Sequence, residues 1–225
     1  MFRPHLYGPL VVLATMVGVG MLVVSWTKRW GSTAAEVAWQ LPGDSIVPHP
    51  MVVTTRAITI DAPASAIWPW LVQLGWHRAG WYSYDRIDND HRQSVDHINP
   101  AWQDLGVGDL VPEGPEVGWT VVEMTPARSL LLESHGPMAG VDWVAGRDSS
   151  WLFLLEPKGE NTTRLIERSR TAVAGDRATM LGRLMSTAPA ADLLAIGDFV
   201  MARKHLRGIK QRAESSSEGL RYASG

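Results

Sequence analysis

Residues 54–85, TTRAITIDAPASAIWPWLVQLGWHRAGWYSYD, decide the fold of this chain. Val52, Thr54, Arg56, Ile58 and Ile60 alternate with Val53, Thr55, Ala57 and Thr59. This β-branched run of period two predicts a strand ending at Asp61. Asp61-Ala62-Pro63 reads as a helix start, with a side-chain acceptor for free N–H groups and a proline that lacks one. Ala64, Ile67, Trp68, Leu71, Val72 and Leu74 recur at three- and four-residue spacing, which gives the helix an apolar face. Pro69 is expected to kink or restart it. Trp68 and Trp70 flank that proline and cannot both face one side. Gly75 closes the helix, and Gly80 to Asp85 leave it as an aromatic segment.

Downstream, His77 to Gly114 read as mostly irregular. The chain then turns to short β runs at Val117 to Met124, Ser129 to Glu133, Asp142 to Ala145, Ser150 to Glu156 and Thr163 to Thr171. Pro126, Gly136-Pro137, Gly146 to Asp148 and Pro157-Lys158-Gly159 punctuate them. Leu165, Glu167 and Ser169 alternate as one face of a half-buried antiparallel strand. From about Pro189 to Ala213 a helical stripe is read through Leu193, Leu194, Ile196, Gly197, Phe199, Val200, Met201, Lys204 and Leu206. Cations gather towards its C-terminus, where they favour the helix dipole. The fold class from pattern alone is α+β.

The strand, the stretch DAPASAIWPWLVQLG, then GWYSYD and WQDLGVGD together resemble the START-like or SRPBCC (polyketide cyclase/dehydrase-like) superfamily. The likeness covers roughly residues 36 to 213 and is nearest to a membrane-anchored subgroup. It implies a helix-grip fold, in which a curved antiparallel sheet wraps a long C-terminal helix around a cavity. It also implies an apolar small molecule or lipid as partner, held by the domain as a carrier. The alternatives are a cyclase, dehydratase or aromatase acting on an apolar chain, and a structural domain with a filled core.

Residues Leu6 to Trp26 contain no charge, and about 20 apolar residues match the hydrocarbon thickness of a bilayer. Tyr7, Trp26 and Trp30 fall where an interfacial aromatic belt would lie. Residues 1–30 are therefore expected to be a single-pass membrane anchor in preference to a cleaved signal peptide. Residues 31–50 follow as a connector, 51–213 as the domain and 214–225 as a disordered tail. Arg3 opposing Lys28 and Arg29 leans the domain to the cytoplasmic side of the cell membrane.

Net charge is −2 and cysteine is absent, which argues against nucleic acid as a partner and excludes disulfides and thiolate metal sites. His77, Asp85, Asp88, Asp90, His91, Asp96 and His97 crowd one loop. No ligand spacing organises them, so they read as turn chemistry and no metal or cofactor is expected. Eleven tryptophans against three phenylalanines suit the wide walls of an apolar pocket. The candidate lining is Trp68, Trp81, Trp102, Trp119, Trp143 and Trp151. Tyr82, Tyr84, Asp85 and His135 are the polar groups expected to face it, with Arg147 beside them. Nothing forms a nucleophile-and-base signature, so catalytic residues are not assigned.

Overall fold

The computed structural model describes residues 7–136, 147–173 and 187–223. Helix α1 spans Tyr7–Lys28, α2 Ala34–Ala38, strand β1 Val52–Ile60 and helix α3 Ala64–Val72. A short α4 (Asp85–Asp88) and a 3-10 turn at Pro100–Trp102 lead to β2 (Leu110–Pro112). Strands β3 (Gly118–Thr125), β4 (Ser129–Gly136), β5 (Arg147–Gly159) and β6 (Thr162–Val173) precede the long helix α5 (Ala188–Ala223). The six strands form one antiparallel sheet in the order β1-β6-β5-β4-β3-β2. Helix α5 packs on β1 and α3 across its inner face. This is the α+β helix-grip arrangement expected from the resemblance.

Each face of the sheet has its own core. Alternation along the strands sends Ile60, Val121, Leu130, Leu132, Phe153, Leu155 and Leu165 inward against α3 and α5. The opposite parity, with Ala57, Leu131, Leu152, Leu154 and Ile166, packs outward under Leu41 and Ile46. The connector is thus laid against the outer face of the sheet. Thr33 starts α2 with a capping box: its hydroxyl accepts from the Glu36 N–H, and the Glu36 carboxylate accepts from the Thr33 N–H at 2.6 Å. Gly31 (φ 73°) lets the chain turn onto β1, because a Cβ there would meet the Ala57 carbonyl at 2.1 Å.

Several expectations change. Helix α3 is capped by Pro63 without a side-chain bond, and the Asp61 N–H instead donates to Glu214 at 2.8 Å. Pro69 sits inside the helix, with Trp70 buried and Trp68 only partly so. The buried stripe of α5 is Ala195, Phe199, Ala202, His205, Leu206, Ile209 and Ala213, while Val200 is on the solvent side. Phe199 and Leu206 of the expected stripe are buried, small alanines fill the rest of it, and the side chains of Leu193 and Leu194 lie outside the described residues.

The tail expected to be disordered is helical from 214 to 223. Ser215, Ser216 and Ser217 return their hydroxyls to carbonyls four residues back, which satisfies them within the helix. Strand β2 lies in a stretch read as irregular, and the run from Asp142 to Ala145 lies outside the described residues.

Helix α1 has 22 residues, and its side chains at 7–14 and 17 are outside the described set. Among the described residues, no helix is long and apolar enough to cross a membrane. Its last turn is docked on the domain. Lys28 pairs with Asp192 at 2.6 Å, the Trp26 ring meets Phe199 at 5.2 Å, and the Thr27 carbonyl accepts from Arg56 Nε at 3.0 Å.

Candidate functional site

The inner face of the sheet grades from apolar to polar along its strands. Ile58, Leu165 and Leu155 form one cross-strand row, and Arg56, Glu167, Phe153 and Leu130 form the next. Thr54, Ser169, Trp151, Leu132 and Val121 follow, and beyond them come Thr171, Ser149 and Ser134. Ser149 donates to Thr171 Oγ1 at 3.1 Å. Strand parity and register put all of these side chains on the inner face of the sheet.

At the centre stands an aromatic cluster. The Trp151 ring lies 5.5 Å from Trp81, 5.1 Å from Trp119, 4.8 Å from Phe153 and 5.8 Å from the His205 imidazole. Trp151 Nε1 donates to Glu167 Oε1 at 2.8 Å, and the second carboxylate oxygen, Oε2, has no partner. His205 enters from α5, its Nδ1 bonded to the Trp81 carbonyl and its Nε2 unpartnered. Gly208, one turn further on, allows this approach, since a Cβ there would meet the Tyr82 carbonyl at 2.3 Å.

Burial shifts both titratable groups towards neutrality. It raises Glu167 to about 7 despite the opposing pull of Arg56 and the Trp151 hydrogen bond. It lowers His205 to about 4, against the opposing hydrogen bond to Trp81. Arg56, the cross-strand neighbour of Glu167, aims elsewhere. Its Nη1 donates to Asp198 at 2.7 Å and its Nε to Thr27 of α1. Near neutral pH the interior therefore holds a carboxyl divided between its two forms and an uncharged imidazole, each with a free polar atom. Such a pair can meet a ligand hydroxyl or carbonyl, or move a proton.

Of the residues singled out in the sequence, the structure brings Trp81, Trp119 and Trp151 together. Tyr82 is buried on the far side of Trp81. Its hydroxyl donates to the Trp70 carbonyl at 3.1 Å and accepts from Gln73, and desolvation pushes its ionisation upward, so it braces α3. Trp68 and Trp102 are partly buried against the periphery of the core. Tyr84 and Asp85 open onto a surface depression of about 690 Å³, where Lys204 covers the Tyr84 ring at 4.0 Å. His135 is exposed at the sheet's end, and the Asp148 hydrogen bond raises its pKa. Trp143 lies outside the described residues. Among the described residues, no group of three or more His, Cys, Asp or Glu is placed to hold a metal ion.

Glu167 was read only as one position of an alternating strand and His205 not at all, although a signal for a site existed for each. Glu167 shares strand parity with Leu165, and His205 falls three residues after Ala202 and four before Ile209 in the buried stripe.

No family model matches the chain, and no curated protein does. Solved structures do. A protein of Mesorhizobium loti is 14% identical over 73% of this chain and 98% of its own, with a TM-score of 0.45. A protein of Mycobacterium smegmatis is 14% identical over 74% and 93%, with a TM-score of 0.42. BexL, a di-domain ARO/CYC from the BE-7585A biosynthetic pathway, is 17% identical over 72% of this chain and 46% of its own, at 0.38.

Proposed function

We propose that this chain binds an apolar small molecule with one polar end, a lipid or related metabolite, between the inner sheet face and α5. A single observation carries the reading. Two fully buried titratable side chains, Glu167 and His205, stand against one tryptophan, and each keeps an unpartnered polar atom. Buried polar atoms are seldom left unpaired unless a ligand or water completes them. The gradient from Leu155 and Leu165 to Ser149 and Ser134 supplies an orientation, with the apolar body at one end and the polar head at the other. Burial of the apolar body at ~25 cal/mol per Å² drives the binding.

In this reading α1 holds the domain at a bilayer. Its sequence carries no charge before Lys28, and Met16, Val19, Met21, Leu22, Val23 and Trp26 all stand exposed. Confinement near the membrane raises the effective concentration of a ligand drawn from it.

The test is native mass spectrometry of the full chain released from detergent, followed by extraction and titration with the recovered compound. A retained apolar adduct, bound at least tenfold more weakly by Glu167→Leu, is the expected result. A bare protein that refuses a lipid panel would turn the cluster into packing. The same two groups also favour a second reading, acid–base turnover of an apolar chain. Glu167→Gln separates the two, since it leaves a carrier able to bind and abolishes turnover.

A further inference from the structure

The surface at the base of α1 holds cations that meet aromatic rings rather than carboxylates. Arg29 follows the helix and is exposed. The Trp30 ring comes next, with the guanidinium groups of Arg203 and Arg207 at 5.8 Å and 5.7 Å. Lys204 projects from the same turn of α5 onto Tyr84. The nearby carboxylates are already engaged: Asp192 by Lys28, Asp198 by Arg56, and Asp85 by the Ser94 hydroxyl. Among the described residues, none of Arg29, Arg203, Lys204 and Arg207 has a carboxylate partner. Four cations and an indole thus surround the point where an exposed apolar helix meets the domain.

We propose that Arg29, Trp30, Arg203, Lys204 and Arg207 form a docking surface for the headgroups of an anionic phospholipid leaflet. The inference rests on the reading of α1 as an anchor. Guanidinium forks match phosphate oxygens, and tryptophan prefers the headgroup level. Basic residues beside an anchor are drawn to anionic lipid, each strengthening attachment about fivefold. Docking would fix the rotation of the domain about α1.

The full chain has no cysteine, so Val200→Cys introduces a unique label position. Val200 shares the helical stripe of Arg203, Lys204 and Arg207 and is exposed. The labelled chain is reconstituted into vesicles of phosphatidylcholine, alone or mixed with phosphatidylglycerol, both bearing a headgroup nitroxide. Strong quenching only with phosphatidylglycerol, lost near 1 M salt where the screening length is about 3 Å, supports docking. Arg203→Gln with Arg207→Gln should weaken it at least tenfold. Arg29→Gln, at an exposed position that leaves the fold intact, should weaken it about fivefold.

A chain that floats with both vesicles while its label stays unquenched in phosphatidylglycerol overturns the docking surface alone. Equal quenching in both lipids, indifferent to salt, overturns it as well. Failure to float with phosphatidylcholine would instead sink the anchor reading. Salt-sensitive flotation with phosphatidylglycerol would still support the surface.

Discussion

Arg168 on the outer face of the sheet and the Glu167–His205 pair on the inner face are buried in opposite ways. On the outer face Arg168 spends all five of its N–H donors. They go to Thr55 Oγ1, the Trp39, Glu36 and Val37 carbonyls, and Asp44. Arg164 and Glu36 pair at 2.8 Å beside it, and that contact holds the Glu36 carboxyl below its usual range. On the inner face Glu167 and His205 are as deeply buried, yet each keeps an open atom. A buried charge whose valences are all met is structural. One left open is held ready for something else.

The largest expected effect breaks the outer face. Arg168→Ala strands three carbonyls and the Asp44 carboxylate, and should cost about 3–5 kcal/mol in urea unfolding. A loss below about 1 kcal/mol would mean that the connector contributes little to the fold. The inner face should respond in the opposite direction. Burial holds Glu167 near 7 in the folded chain against 4.5 for an ordinary glutamate, so the native state keeps a proton that the unfolded chain releases between those values. Stability is full below the lower value and is lost as pH rises through the upper one, by about 3 kcal/mol in total. Glu167→Gln lacks this ionisation. Its stability should match the parent near pH 4 and exceed it increasingly towards pH 8. A pH-independent difference would show a carboxyl already partnered.

The strand–helix–aromatic stretch made the fold legible, because period-two and three-to-four spacing are local signals that tertiary packing here obeys. The site was legible only in its tryptophans. Tyr84, Asp85 and His135 have the chemistry of a site without its burial, and burial is set by which strands pair and where α5 rests. Glu167 sits in the sequence among Arg164, Arg168 and Arg170 and reads as one charge of many. Parity puts it on the face of Leu165, and the register opposite Phe153 and Arg56 makes that face the inner one. The stripe of α5 was legible at Phe199 and Leu206 but not at its small positions, for a related reason. Close packing selected Ala195, Ala202 and Ala213, which weigh little in a hydropathy pattern.

A third test concerns the join between anchor and domain. Removing residues 1–30 deletes the Thr27 carbonyl from Arg56, which is 1% exposed, and takes Trp26 and Trp30 from Phe199. Truncation should cost about 2 kcal/mol relative to a chain beginning at Val24, read as a shift in the urea midpoint. Equal midpoints would make α1 a passive tether.

The smallest effect is expected at His135, and it sharpens the contrast between the faces. The Asp148 hydrogen bond at 2.7 Å and Glu133 at 3.6 Å raise its pKa, so its charged form adds stability that is lost as pH rises. Yet its side chain is 58% exposed, and water screens both partners. His135→Ala should therefore leave unfolding within about 0.5 kcal/mol and ligand titration unchanged. His205→Ala, at a buried site where Nε2 has no hydrogen-bond partner, should abolish or reshape the titration. If His135 proves the more sensitive of the two, polar identity rather than burial marks the site, and the ligand enters from the end of the sheet.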